Sequence, residues 1–345
     1  MNIAAINGSW QTITFLNFYM VEYGRDPGVG CDVVLFEVDD QLKETCIKIL
    51  NRFSFIRNIS TLDNMLILPY ENLWIGKLFS QGAKFIANKY EKLPIILFEE
   101  GLHSYIDPKK FKIKYFLGRS YPLKYKVWAS WNYLLGNNIL QWDKNFTHLV
   151  FEEHENRIKK KYFLTPLVKK SKKVIVNSVH LNFVIDKIND LQSTPMPNNR
   201  TKATVLIVGQ CFSNYDLMPF EEELDLYVQL IGYFLGREYE VIWKGHPRSK
   251  LFDKAIKSIY KDLSMLDNSM LPLEVFTYNN KTIELAGVSS SSLLYHKILH
   301  GGKTTQIAHL FIEKFNKNNK WYSDFNDMCK LIDANIDRIE LNITK

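Results

Sequence analysis

The chain has 345 residues, 46% of them hydrophobic and 23% charged, with a formal net charge of +7. Such a length holds two domains that each bury a core, and the balance of residues excludes both an intrinsically disordered chain and an integral membrane protein. The four cysteines, Cys31, Cys46, Cys211 and Cys329, lack paired spacing, which argues against a disulfide framework and against a zinc site.

The first run, Asn2–Asn7, is strand-like and lacks the basic lead of a secretion signal. No later stretch reaches the roughly eighteen uninterrupted apolar residues of a membrane span, so the expected compartment is the cytoplasm. Short apolar, β-branched runs alternate with longer amphipathic stretches, the pattern of parallel sheets flanked by helices. Strands are predicted near Asn2–Asn7, Asp32–Val38, Met65–Pro69, Pro94–Phe98, Thr147–Phe151 and Lys173–Asn177. A second series is predicted near Thr204–Val208, Glu238–Trp243, Glu274–Thr277, Thr282–Ala286 and Thr305–Ala308. The polar run 189–200 carries two prolines and no periodicity. It divides the chain into an N-terminal domain over 1–190 and a C-terminal domain over 203–345, with 191–202 as linker.

Candidate functional residues fall at the predicted strand ends, where ligands bind in open α/β sheets. Gly8, Ser9 and Gln11 follow the first strand in a loop that suits a ligand-facing position. Glu99 and Glu100 precede the turn residue Gly101; adjacent carboxylates raise one another's pKa, which suits a general base, although two acids at this place also suit helix capping. Gly209 and Gln210 follow the first strand of the second half. Lys244-Gly245-His246-Pro247-Arg248 closes the next strand, with an imidazole fixed by proline and flanked by cations that favour an anion; a structural turn histidine is the plain alternative. Glu274, a lone acid in an apolar run, suits ribose hydroxyls or a salt bridge at a strand edge. Ser289, Ser290, Ser291 and Ser292 combine hydroxyls with the free N–H groups of a helix start, a cradle for phosphate that exceeds what capping requires. Asp39-Asp40, the nearest approach to a metal-binding acid pair, reads as a strand-end turn.

Between Lys109 and Trp142 seven Lys or Arg residues meet no acid and are interleaved with aromatics; eight more basic residues lie between Arg157 and Lys173. These segments read either as solvated helix faces or as a surface for an anionic acceptor or a membrane. Nucleic acid is not an expected partner, because no nucleic-acid motif accompanies the charge.

Taken in order, Glu99-Glu100-Gly101, Lys244-x-His246-Pro247, Pro272-x-Glu274 and the serine cluster resemble the bacterial sialyltransferases, that is, the lipooligosaccharide sialyltransferases and capsular polysialyltransferases. The resemblance implies a GT-B fold: two Rossmann-like α/β domains facing across a cleft, acceptor and base on the N-terminal side, donor on the C-terminal side. It implies an inverting, metal-independent transfer of sialic acid from CMP-Neu5Ac to a hydroxyl of a cell-surface glycan, lipooligosaccharide or capsular polysaccharide; the basic segments suit an anionic or a lipid-linked acceptor equally. CMP-sialic acid is then a substrate, and neither cofactor nor metal is required. By the same resemblance Glu99 is the general base, with Glu100 second. His246 serves the departing CMP phosphate with Ser290 and Ser291, and Ser289 beside them. Lys244, Pro247 and Glu274 hold the cytidine, Gly209 and Gln210 lie near the nucleotide, and Gly8, Ser9 and Gln11 border the active site. A transferase for another CMP-activated acid sugar (Kdo, pseudaminic or legionaminic acid) fits the same donor residues. A non-catalytic polysaccharide- or membrane-binding protein on a GT-B scaffold is the alternative outside enzymology.

Overall fold

The computed structural model describes residues 1–76, 81–105, 127, 131, 155–168, 171–191, 202–246, 250–266, 271–278, 280–319 and 321–341. The chain divides into two compact units, the first built chiefly on Met1–Tyr105 and Leu123–Leu191, the second on Gln192–Ser269 and Leu273–Lys345.

The first unit holds β1 (Asn2–Ile6), β2 (Cys31–Leu35), β3 (Ile56–Thr61), β4 (Leu73–Ile75), β5 (Ile95–Phe98), β6 (Ile158–Phe163) and β7 (Val174–Val176). They form one sheet in the order β3-β2-β1-β4-β5-β6-β7, every pair parallel. Strands β1, β2, β4 and β5 are buried along their whole length and are mostly apolar rather than alternating; the two buried polar residues among them are hydrogen-bonded, Asn2 to Tyr19 and Asp32 to Tyr70. Helices α1 (Ser9–Tyr23), α2 (Asp40–Leu50), α3 (Gln81–Lys89) and α4 (Leu181–Ile188) supply crossovers and cover. Helix α1 is buried over most of its length, with Phe15 and Tyr19 packed on Trp74. Asp39 is the N-cap of α2, its carboxylate accepting from the Leu42 N–H at 2.8 Å.

The second unit repeats the plan with β8 (Thr204–Val208), β9 (Glu240–Lys244), β10 (Ser264–Met265), β11 (Glu284–Gly287), β12 (Thr304–Gln306) and β13 (Asp337–Arg338) in the order β10-β9-β8-β11-β12-β13, again all parallel. Its helices are α5 (Phe220–Leu235), α6 (Lys250–Ile259), α7 (Leu273–Tyr278), α8 (Ser291–His300), α9 (Ala308–Lys314) and α10 (Tyr322–Asp333). Tyr227 of α5, Trp243 of β9 and Phe252 of α6 pack ring on ring between sheet and helices. In both sheets the strand order reverses beside the first strand, at β1/β4 and at β8/β11, which is where doubly wound sheets open a binding crevice at their carboxyl ends. The α/β, Rossmann-like expectation is met in each unit.

Several sequence expectations need correction. Met65–Pro69 is not a strand: Leu66, Ile67 and Leu68 stand exposed in the crossover, and the true neighbours are β3 and β4. Glu274–Thr277 is helical, opened by Pro272 just before α7 and by an acid in its first turn, both favourable at a helix start. Thr305–Ala308 is cut short because Ala308 begins α9. The basic run after Arg157, read as a helix face, begins with strand β6; Lys160 pairs with Glu22 of α1, and Tyr162 is buried against the same carboxylate. The predicted strand Thr147–Phe151 and the basic-aromatic segment 109–142 lie outside the described residues, apart from 127 and 131. Among the described residues no helix is long and apolar enough to cross a membrane.

Candidate active site

In the first unit the loops after β1 and β5 meet. Gln11 accepts from the Asn7 N–H at 3.0 Å and donates through Nε2 to Glu100 at 2.8 Å. Gly8 is the N-cap of α1, its carbonyl accepting from the Thr12 N–H and hydroxyl, while Ser9 opens the helix in a buried position. A β-carbon at Gly8 would meet nothing within 4 Å, so no steric demand explains that glycine.

Glu99 is 1% exposed. Its Oε2 accepts from the Leu164 N–H at 2.6 Å and from the Tyr105 hydroxyl at 2.5 Å, and its carbonyl accepts from Thr14 of α1 at 2.9 Å. Burial and the adjoining carboxylate push the Tyr105 hydroxyl well above its ordinary pKa, so it stays a donor to Glu99. Glu100 is partly exposed, and its N–H donates to Ser104 Oγ at 2.9 Å. Gly101 takes a φ of +128°, a conformation that favours glycine and lets the chain turn straight after the acid pair. The two acids therefore differ in setting: Glu99 is locked inward by two donors on one oxygen, and Glu100 is tied to the β1 loop.

In the second unit the ends of β8, β9 and β11 converge. Gly209 donates its N–H to the Lys244 carbonyl at 2.8 Å, and a β-carbon there would lie 2.6 Å from the Trp243 ring. Gln210 donates its N–H to the Tyr227 hydroxyl at 2.8 Å. Gly245 leaves room for Asp253, whose Oδ1 accepts from the Trp243 indole at 2.8 Å; a β-carbon at 245 would sit 1.7 Å from that oxygen. His246 is partly exposed and lies with Nδ1 3.3 Å from Cys211 Sγ. Pro247 is outside the described residues.

The serine cluster divides by partner. Ser292 is buried and donates to Glu274 Oε1 at 2.9 Å. Ser289 is buried and bonds the Cys329 thiol, itself raised to about 12 by burial. Ser290 caps α8, accepting from the Ser292 N–H at 3.3 Å, and both Ser290 and Ser291 are partly exposed. Burial pushes the Glu274 carboxyl up to about 6, a rise opposed by local hydrogen bonds, including that from Ser292, and by the charge of Lys244. Lys244, Glu274 and Ser292 thus link the end of β9 to the start of α8. Tyr105, Leu164, Cys211 and the buried Glu223, which accepts from the Phe212 and Ser213 N–H groups, are contributors that no motif marks in the sequence. Only the position of Cys211, two residues past a strand-end glycine, offered a signal.

A family model described as alpha-2,8-polysialyltransferase (POLYST) matches residues 2–309. Among solved structures, the alpha/beta-galactoside alpha-2,3-sialyltransferase of Photobacterium phosphoreum superposes with a TM-score of 0.54 at 11% identity, covering 98% of both chains. A 2,6-sialyltransferase from a Photobacterium species of the Vibrionaceae, solved with CMP and lactose, gives 0.50 at 14% identity over 98% of this chain and 78% of the other. The UDP-GlcNAc 2-epimerase of Neisseria meningitidis gives 0.55 at 12% identity over 95% and 94%. No curated protein matches the chain. At these identities the likenesses show the GT-B fold, which transferases and epimerases share; the family match separates them.

Proposed function

Because the chain belongs to the alpha-2,8-polysialyltransferase family, we propose that it is an inverting transferase that moves sialic acid from CMP-Neu5Ac to a hydroxyl of a cell-surface glycan, lipooligosaccharide or capsular polysaccharide. The observation that carries the donor half is the link from Lys244 through Glu274 to Ser292, which ties the His246 strand end to the helix start bearing Ser290 and Ser291. In this reading the nucleotide phosphate is met by the His246 imidazole, the Lys244 ammonium, the partly exposed Ser290 and Ser291 and the N-terminal N–H groups of a ten-residue helix, groups suited to bind it.

In the proposed step the acceptor hydroxyl gives its proton to Glu99, its oxygen forms the new bond to the anomeric carbon, and the bond from that carbon to the CMP phosphate oxygen breaks on the opposite face. The phosphate oxygen keeps the electron pair, and His246, Ser290 and Ser291 donate to it. Oriented protein donors thereby meet the charge that a divalent cation meets in other transferases. Two ordered donors on one oxygen of Glu99 restrict the carboxylate to a single orientation, the condition for a positioned base.

Incubation of the purified protein with CMP-Neu5Ac, CMP-Kdo and CMP-pseudaminic or CMP-legionaminic acid, each with lactosyl and sialyl acceptors, tests this reading. CMP release and a sialylated product from CMP-Neu5Ac are expected. Turnover of another CMP sugar alone would transfer the assignment to that donor, and no turnover of any of them would defeat it.

A further inference from the structure

We infer that Cys211 is a positioning residue for His246, fixing the imidazole in the tautomer whose Nε2 carries the proton offered to the departing phosphate. The contact is between Sγ and Nδ1 at 3.3 Å, with Cys211 buried. A thiol beside a neutral imidazole has two arrangements: S–H donating into the Nδ1 lone pair, or Nδ1–H directed at sulfur. An sp² ring nitrogen is a strong acceptor and a thiol sulfur a weak one. The first arrangement therefore prevails, and the ring proton resides on Nε2.

The placement of the thiol is itself constrained. Its loop is pinned on either side of the cysteine: the Gln210 N–H donates to Tyr227, and the Phe212 and Ser213 N–H groups donate at 2.9 and 2.7 Å to the two carboxylate oxygens of Glu223 in the first turn of α5. Glu223 is fully buried, so these bonds are shielded from water. On the other side, Gly245 sets the backbone just before His246 against Asp253 and Trp243. Two rigid strand ends thus present the thiol to Nδ1, and the role inferred for Nε2 is to donate to the departing phosphate. This is the logic of a base oriented by a third group, with sulfur in the place a carboxylate often takes.

The inference rests on the proposed role of His246 and is tested by a readout separate from activity. In full-length protein labelled with ¹⁵N-histidine, the two-bond ¹H–¹⁵N pattern of His246, assigned by its loss in His246→Gln, is expected to show protonation at Nε2. Cys211→Ala is expected to give a mixture of tautomers and to lower kcat for CMP release about tenfold with little change in donor KM. Cys211→Ser, which keeps a donor to Nδ1, is expected to restore the single tautomer and most of kcat. A wild-type ring protonated at Nδ1, an imidazolium paired with a thiolate, or a Cys211→Ala ring identical to wild type would overturn the assignment. Should Cys211→Ala fail to fold, the wild-type and Cys211→Ser spectra still decide. Absence of CMP release from wild-type protein would count against the proposed function, whereas the ring spectrum judges Cys211.

Discussion

Gly245→Ala should damage the donor unit by a route that can be followed residue by residue. The new methyl carbon would lie 1.7 Å from Asp253 Oδ1 and 2.5 Å from its Cγ, so the Asp253 carboxylate must swing away. Leaving its place, it abandons the indole N–H of Trp243, a side chain with no exposed surface. An unsatisfied buried donor costs about 1–3 kcal/mol and an overpacked site a comparable amount, so a loss of about 2–4 kcal/mol is expected. Urea denaturation followed by tryptophan fluorescence reads it as a lower midpoint. Asp253→Ala loses the same indole bond but makes room for the methyl, so the double variant should be no less stable than Asp253→Ala alone. The expected coupling is on the order of 2 kcal/mol in favour of the double variant. A wild-type midpoint in Gly245→Ala, or penalties that simply add, would refute the steric reasoning.

The serines should separate by role. Ser290→Ala removes the α8 cap and should cost ~1 kcal/mol, and Ser292→Ala strips a partner from buried Glu274 Oε1 and should cost about 1–3 kcal/mol. Ser291→Ala should leave the melting temperature alone and raise donor KM; equal stability losses in all three would remove the distinction. The Glu274 carboxyl, held by burial at about 6 against an ordinary 4.5, contributes stability that is present below pH 4.5 and lost as pH rises through about 6. Glu274→Gln lacks that titration, so its stability relative to wild type should rise by ~2 kcal/mol between pH 4.5 and 7; a gap that does not vary with pH contradicts this. Prolonged chelation should leave the transfer rate unchanged, and a loss restored by added divalent metal would contradict the metal-independent step.

Strand identity was legible where burial is two-sided. Residues 3–6, 95–98 and 205–208 are unbroken apolar runs, and the structure places them inside its sheets, with a strand on either side. Met65–Pro69 has the same composition and stays outside the sheet, because composition does not say which run wins a sheet position. Strand β6 was hidden by three consecutive lysines; one of them is neutralised by Glu22 of α1, a partner 138 residues away in sequence. The site shows the same limit. Glu99, Glu100, His246 and the serines announce themselves because their chemistry is unusual at strand ends. Tyr105 and Cys211 do not, since a tyrosine or a cysteine gains meaning only from the atom it touches, and Ser292, visible as one of the four serines, shows only in the structure that its partner is Glu274.

The most direct test compares transfer of sialic acid from CMP-Neu5Ac by wild type, Glu99→Gln and His246→Ala. Glutamine can keep an oxygen on the Leu164 and Tyr105 donors, so Glu99→Gln should fold normally while losing the base. Each substitution is expected to slow transfer by about a hundredfold or more with a melting temperature near that of wild type. Full transfer activity in either variant would contradict the account.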